Sequence, residues 1–209
     1  KLVDSDYEPE QDTALLSDEA STKKAHEIMG NAIAAEDMWR MTVLNTRVSA
    51  VRQLLAKIAS VDIVEELAED LNRTLSTARS QLNSVEKRLR KPKVLPGPTG
   101  ESNLLYLEPR GILVSFADKN VTFEYWALSI VTALATGNVM ISVVSDLFYE
   151  EAQAFCQQFL ATGSPEGVLQ VAKLNQLEAL LNEPKLAGVV IDSKSERSAF
   201  ITQKLSQRE

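Results

Sequence analysis

The chain has 209 residues, of which 44% are hydrophobic and 24% charged, and its formal net charge is −7. This length accommodates one domain with an extension, and the composition is that of a globular protein, which excludes wholesale disorder. The negative charge argues against nucleic-acid binding, because that role requires a basic surface. The single cysteine excludes an intrachain disulfide and indicates a reducing compartment.

The first 16 residues are acidic and show no periodicity, so we expect a flexible terminus without a targeting segment. Ser17-Asp18-Glu19 is typical of a helix start, because a capping hydroxyl and early carboxylates favour the first turn. The chain begins with Lys, so it is expected to be an excerpt from a longer protein.

Residues 17–91 are predicted to form a helical hairpin arm of two long amphipathic helices joined near Ser60-Val61-Asp62. The second helix carries an apolar seam at alternating steps of four and three. Its members are Leu71, Leu75, Ala78, Leu82, Val85 and Leu89. Such a stripe usually packs inside its own chain, although docking onto a partner domain stays open.

Residues 92–103 contain three prolines and two glycines, which are incompatible with regular helix. We therefore predict a stiff connector between the helical arm and residues 104–209.

In residues 104–209 short apolar runs alternate with helical patterns, which predicts an α/β fold with a doubly wound, Rossmann-like parallel sheet. The uncharged stretch 125–145 is interrupted by Thr, Gly and Asn, which favours a helix and a buried strand over a membrane span. The predicted strands are 104–107, 112–117, 139–144, 168–172 and 188–191. The predicted helices are 122–136, 147–161, 176–182 and one beginning near Ser193.

The predicted sheet lacks the usual phosphate-binding turn. The turn after 112–117 is Asp118-Lys119-Asn120-Val121, without glycine, and Pro98 removes an amide donor from the earlier segment Gly97-Pro98-Thr99-Gly100. We therefore predict no cofactor-binding residue. A degenerate nucleotide site at helix N-termini near Asn120 or Asp146 remains the alternative.

Other reactive side chains are predicted to be structural. Phe155 and Phe159 flank Cys156 on a core-facing helix, and His26 has no partners for a triad or a metal site. The basic cluster from Lys87 to Lys93 suits a helix C-terminus. No catalytic or metal-binding residue is predicted.

One segment carries a family resemblance, because it is similar to the Leu-Pro-Gly-Pro-Thr-Gly-Glu signature of the bacterial bifunctional enzyme proline utilization A. Its residues are Leu95, Pro96, Gly97, Pro98, Thr99, Gly100, Glu101, Asn103, Pro109 and Arg110. The resemblance implies the C-terminal region of that enzyme, an aldehyde-dehydrogenase-superfamily-like domain with the helices before it. The parent would be a cytoplasmic oxidoreductase, peripheral at the inner membrane in some cases.

That parent would use FAD and NAD as proline dehydrogenase and L-glutamate γ-semialdehyde dehydrogenase. The resemblance implies a non-catalytic domain that packs on the catalytic aldehyde dehydrogenase domain of the same polypeptide and helps to seal the channel of the intermediate. The chain has no Gly-Gln-x-Cys context at Cys156 and stops before the family's β-flap tail. A third interpretation is a helical-hairpin scaffold that dimerises through Leu75 and Leu82.

Overall fold

The computed structural model describes residues 18–60, 65–118 and 120–208. The predicted acidic terminus, residues 1–16, and the Val61-Asp62 part of the predicted helix junction lie outside the described residues.

The N-terminal part contains three helices, where the sequence pattern predicted two. The first helix ends because Thr42 and Val43 are extended and the Thr42 amide folds back onto the Met38 and Trp39 carbonyls. Buried Trp39 holds this bend by donating its indole N–H to the Leu134 carbonyl at 3.1 Å. The helices are α1 (Glu19–Met41), α2 (Leu44–Ala59) and α3 (Glu65–Leu89).

The Pro/Gly region forms the loop of a hairpin that the sequence did not predict. The strand predicted at 104–107 overlaps its second strand at Leu104 and Leu105, and it belongs to this hairpin instead of the parallel sheet. Strands β1 (Lys93–Leu95) and β2 (Asn103–Leu105) pair antiparallel, with Lys93 opposite Leu105. They form a separate two-stranded sheet.

The second sheet is parallel and confirms the predicted α/β fold. Its strand order is β5-β4-β3-β6. Right-handed crossovers place the helices after β3 and β4 on one face and the helix after β5 on the other. The strands are β3 (Ile112–Ala117), β4 (Val139–Val144), β5 (Leu169–Lys173) and β6 (Leu186–Ile191). The helices are α4 (Phe123–Ala135), α5 (Tyr149–Leu160), α6 (Leu177–Leu181) and α7 (Ser198–Ser206).

The last helix begins later than predicted. Residues 192–197 form a turn in which Asp192 accepts the Lys194 amide, and Ser195 accepts the Arg197 amide. These side-chain bonds compete with helical pairing, so α7 starts at Ser198 instead of near Ser193.

The helical region and the parallel sheet share one apolar core. Helix α1 contacts β4, β5 and α6, whereas α2 and α3 cover α4. The α3 seam is buried in this core, with Leu75 3% and Leu82 0% exposed. The stripe therefore packs internally, which removes the free face that a scaffold dimerising through Leu75 and Leu82 would need.

A buried guanidinium joins the ends of two helices. Arg47 is 8% exposed and donates Nε–H to the Ala135 carbonyl at 3.3 Å, and its Nη1 donates to the carbonyls of Arg40 and Thr42. These carbonyls lie at the C-terminal ends of α4 and α1, where a cation is favoured. Burial lowers the pKa of Arg47 below its ordinary value.

No helix within the described ranges is long and apolar enough to cross a membrane. The uncharged stretch 125–145 forms most of α4 and all of β4, as predicted.

Candidate functional site

The parallel sheet has one topological switch point. The chain runs from β3 to β4 and β5, and then crosses back to place β6 on the other side of β3. In open α/β sheets, ligands bind in the crevice outside the carboxyl ends of the strands at such a point. The candidate site is therefore the crevice between the end of β3 at Ala117 and the end of β6 at Ile191.

Asp118 and Ser195 close this crevice. The Ser195 hydroxyl is 4% exposed and donates to Asp118 Oδ2 at 2.6 Å, joining the turn after β3 to the turn after β6. The other carboxylate oxygen of Asp118 accepts the Asn120 amide at 2.9 Å. Both oxygens of Asp118 are thus used by the chain itself.

A second pair of side chains reinforces the closure. The side-chain amide of Asn120 donates from Nδ2 to Glu196 Oε1 at 3.4 Å, again between the turns that follow β3 and β6. Beside it, burial and then the negative charge of Asp192 raise the pKa of Tyr125. Lys194 and Arg197 are cations on the same turn.

The N-terminus of α4, which points to this crevice, is already capped. Thr122 Oγ1 accepts the Tyr125 amide at 3.2 Å, and Glu124 occupies the first turn. Both features favour the helix without a bound anion. Asp146 begins only a single 3₁₀ turn, and its carboxylate lies 3.7 Å from Lys173 Nζ.

These turns lack two features of the usual dinucleotide site. Pyrophosphate binding needs glycine turns for close backbone approach and a helix N-terminus free to receive negative charge. Residues 120–122 and 192–197 contain no glycine. Asp118, Asp192 and Glu196 are carboxylates at these turns, and Lys194 and Arg197 are cations on the second turn.

The segment that carries the family resemblance lies elsewhere, in the hairpin. Residues 96–102 form its loop, where Glu101 N–H donates to the Pro98 carbonyl and Gly100 has φ +94°. Asn103 Nδ2 donates to the Pro96 carbonyl at 3.3 Å, across the loop. A Cβ at Gly97 would lie 2.6 Å from that amide nitrogen, so a larger residue there would displace the Asn103 side chain from this hydrogen bond.

The end of the signature leads into the parallel sheet. Pro109 and Arg110 lie between β2 and β3, and the Arg110 and Gly111 amides donate to Asn138 Oδ1 at 2.7 and 3.2 Å. The described contacts of the signature residues lie in the loop, in the pairing of Leu95 with Asn103 and at the Asn138 side chain, and none of them involves the crevice residues Asp118 or Ser195.

The other predicted residues have structural partners. The Cys156 thiol donates to the Leu169 carbonyl at 2.8 Å, and burial raises its pKa to about 11. His26 pairs with Glu183, and the Trp126 indole donates to Ser142 Oγ at 2.7 Å. Within the described ranges no cluster of three His, Cys, Asp or Glu side chains could hold a metal ion.

Sequence reasoning identified the turn at Asp118 and Asn120 but missed Ser195 and Glu196. The signal that could have found them is the polar run from Asp192 to Glu196 directly after a buried strand. In a parallel sheet this run must lie at the same edge as Asp118.

A family model described as "Aldehyde dehydrogenase family" matches residues 6–208. No protein with a curated description matches the chain.

Three solved structures illustrate the similarity in fold. A proline utilization A (PutA) structure with proline bound in remote sites has a TM-score of 0.79 and 23% identity, over 90% of this chain and 21% of that chain. A salicylaldehyde dehydrogenase from Pseudomonas putida G7 has a TM-score of 0.75 and 16% identity, over 89% and 42%. An NADP-dependent glyceraldehyde-3-phosphate dehydrogenase from Bacillus halodurans C-125 has a TM-score of 0.74 and 18% identity, over 88% and 43%.

The chain therefore spans about a fifth of the PutA polypeptide and about two fifths of the two dehydrogenases.

Proposed function

Because the chain belongs to the aldehyde dehydrogenase family, we propose that it is a non-catalytic module of a PutA-like enzyme that converts proline to glutamate. The module packs on the catalytic aldehyde dehydrogenase domain of the same polypeptide and helps to seal the channel of the intermediate. The hairpin signature and the likeness in fold to PutA structures support this parent.

The observation that carries the non-catalytic role is the closed crevice. The Ser195–Asp118 hydrogen bond joins the two turns between which a cofactor would bind, and Glu196 adds a second contact. The chain satisfies these groups internally, so a nucleotide would have to break the contacts and face their negative charge.

The parent's chemistry then belongs to other domains. FAD and NAD would serve its two oxidations there, and this module contributes surface and no reacting group. Cys156 supports that assignment, because a thiol with a raised pKa is a poor nucleophile. We place the parent in the cytoplasm, with peripheral association at the inner membrane as its only membrane contact.

Calorimetry of the chain with NAD and NADP tests the proposal. We expect no saturable heat at millimolar nucleotide, while a catalytic family member titrated under the same conditions gives a normal isotherm. Saturable binding of either nucleotide that ADP displaces would contradict the proposal.

The rival function is a degenerate nucleotide-binding domain that uses a helix N-terminus as the anion site. If the anion bound at the N-terminus of α4, the Tyr125 N–H would first have to leave its hydrogen bond to Thr122 Oγ1. A thermal-shift series with NAD, NADP, ATP and AMP separates the two functions. A rise in melting temperature that saturates with one nucleotide would favour the rival.

A further inference from the structure

The two outer edges of the parallel sheet differ in how the chain covers them. At β5 the Cys156 thiol donates to the Leu169 carbonyl at 2.8 Å, and Gln176 Oε1 accepts the Lys173 amide at 2.9 Å. At β6 no described side chain hydrogen-bonds to the backbone of residues 187–191, and the strand pairs only with β3. The side chains of the chain therefore cover the edge of β5 and leave the edge of β6 open.

The open edge of β6 is apolar over its regular part. Residues 188–191 are Gly-Val-Val-Ile, they pair in register with β3, and they are half-buried. Natural edge strands are protected by charge, proline or a bulge. In β6 such features stand at the start, where Pro184 and Lys185 precede the strand and the register shifts after Leu186. The remaining edge is of the kind that readily pairs with another strand.

The two ends of β6 carry opposite charges. Lys185 directly precedes the strand, is exposed and forms no ion pair with a described residue. The nearby carboxylate of Glu183 is already paired with His26. Asp192 directly follows the strand and accepts the Lys194 amide with one of its oxygens. An antiparallel neighbour of the same sequence would therefore bring its acidic end to Lys185 and its basic end to Asp192.

We propose that the outer edge of β6 pairs antiparallel with β6 of a second copy of this chain, which joins two four-stranded sheets into one. A two-fold axis through the middle of the strand relates the copies, so the same surface is used twice and the assembly closes. The outer edges of the joined sheet are then both β5, which each chain covers itself. A parallel arrangement would place like charges side by side and is disfavoured.

This inference goes beyond the proposed function and depends neither on the crevice nor on the hairpin. Nucleotide titration tests the proposed function, whereas the oligomeric state and its response to charge variants test the open edge. The two can therefore fail separately.

Sedimentation velocity of the full chain over a concentration series measures the dimer. A single strand edge buries less than the roughly 1,600 Å² of a standard interface, so we expect a dissociation constant between about 1 μM and 1 mM. Hydrogen exchange then locates the contact. The amides of residues 187–191 should exchange more slowly at concentrations where the dimer forms, whereas those of residues 169–173 should not change.

Charge variants test the orientation of the two strands. Lys185→Glu places a carboxylate beside Asp192 of the second copy and should weaken the dimer at least about tenfold, because the two-fold axis repeats the change. Asp192→Asn keeps an acceptor for the Lys194 amide. It should weaken the dimer of the unaltered chain but strengthen the dimer of the Lys185→Glu variant. This reversal of sign requires that the two side chains lie next to each other in the interface.

Two further variants separate the edge from general charge effects. The matched control Lys23→Glu makes the same change in net charge at an exposed position of α1. It should leave the dissociation constant within about twofold, because distant surface charges are screened. Val190→Lys places a charge on the open edge itself and should weaken the dimer, as charged residues do on natural edge strands. Thermal melts verify that each variant is folded.

Three results would overturn the inference. The first is a chain that stays monomeric at about 1 mM, the weak end of the expected range. The second is a dimer whose exchange protection lies outside residues 187–191, which would assign the contact to another surface. The third is an effect of Asp192→Asn that has the same sign in the unaltered chain and in the Lys185→Glu variant.

Discussion

The crevice at the parallel sheet and the hairpin at residues 93–105 differ in how far their side chains are engaged by contacts within the chain. In the crevice, Ser195 and Asn120 donate to carboxylates of the same chain. At the hairpin, Val94, Tyr106 and Leu107 are more than 60% exposed, and among the described strands β1 and β2 pair only with each other. The crevice is bridged by contacts within the chain, whereas the hairpin exposes apolar side chains.

A Rossmann-like fold does not by itself imply a cofactor site. A Rossmann-like sheet keeps its architecture through apolar packing, which does not depend on the turns at the strand ends. The turns after β3 and β6 can form internal hydrogen bonds in place of a phosphate-binding turn without any change in the apolar core.

The largest expected effect contrasts buried and exposed leucines. Leu82→Ala removes a side chain that is 0% exposed and should lower the free energy of unfolding by about 2–5 kcal/mol. Leu107→Ala changes a residue that is 61% exposed and should change it by less than about 0.5 kcal/mol. Urea unfolding measures both. Equal destabilisation would show that the hairpin is part of the core.

The second prediction concerns the buried cation. Arg47→Met keeps the aliphatic stem but leaves carbonyls at two helix ends unpaired, and should cost about 2–4 kcal/mol in urea unfolding. The control Arg52→Met removes an exposed ion pair with Glu86 and should cost about 0.5 kcal/mol. If the two variants were equally stable, the helix-end contacts of Arg47 would contribute nothing.

Thiol reactivity compares the two regions directly. At pH 8 a pKa of about 11 leaves about a hundredfold less thiolate on Cys156 than the ordinary value of 9.0 would. A cysteine introduced as Leu107→Cys in a Cys156→Ser background should react with Ellman's reagent at least about a hundredfold faster. Comparable rates would mean that the Cys156 site opens readily.

The smallest effect is the ionisation of Tyr125, whose pKa is raised by burial and by Asp192. A raised pKa in the folded state means that stability is complete below the unfolded value near 10 and falls as the pH rises through the folded value. Asp192→Asn should lower the pKa of Tyr125, followed by absorbance at 295 nm, whereas Asp146→Asn should not. If the pKa of Tyr125 were the same in Asp192→Asn as in the unaltered chain, the charge of Asp192 would not be a cause of the raised pKa.

The buried sheet could be predicted from the sequence because its signal is local. Residues 112–117 and 139–144 are uninterrupted apolar runs, and the structure gives β3 and β4 those bounds. Burial on both faces requires such runs in a parallel sheet, so composition and structure agree.

The hairpin and the closure of the crevice could not be predicted, because both depend on pairing. The strands β1 and β2 have three residues each and flank a loop rich in Pro and Gly, where Asn103 reaches back to Pro96. Asp118 and Ser195 are 77 residues apart, and the sequence pattern predicts a helix at Ser195. Periodicity carries no information about such distant contacts.

The buried guanidinium of Arg47 also constrains the order in which the chain can fold. Its hydrogen bond to the Ala135 carbonyl spans 88 residues, so we expect the full set of contacts at the bend between α1 and α2 to form together with α4. Contacts between such distant segments slow folding, because a long loop must close before they form. We expect residues 18–60 alone to be a loose helical ensemble, and the cooperative unit to be the helices together with the sheet.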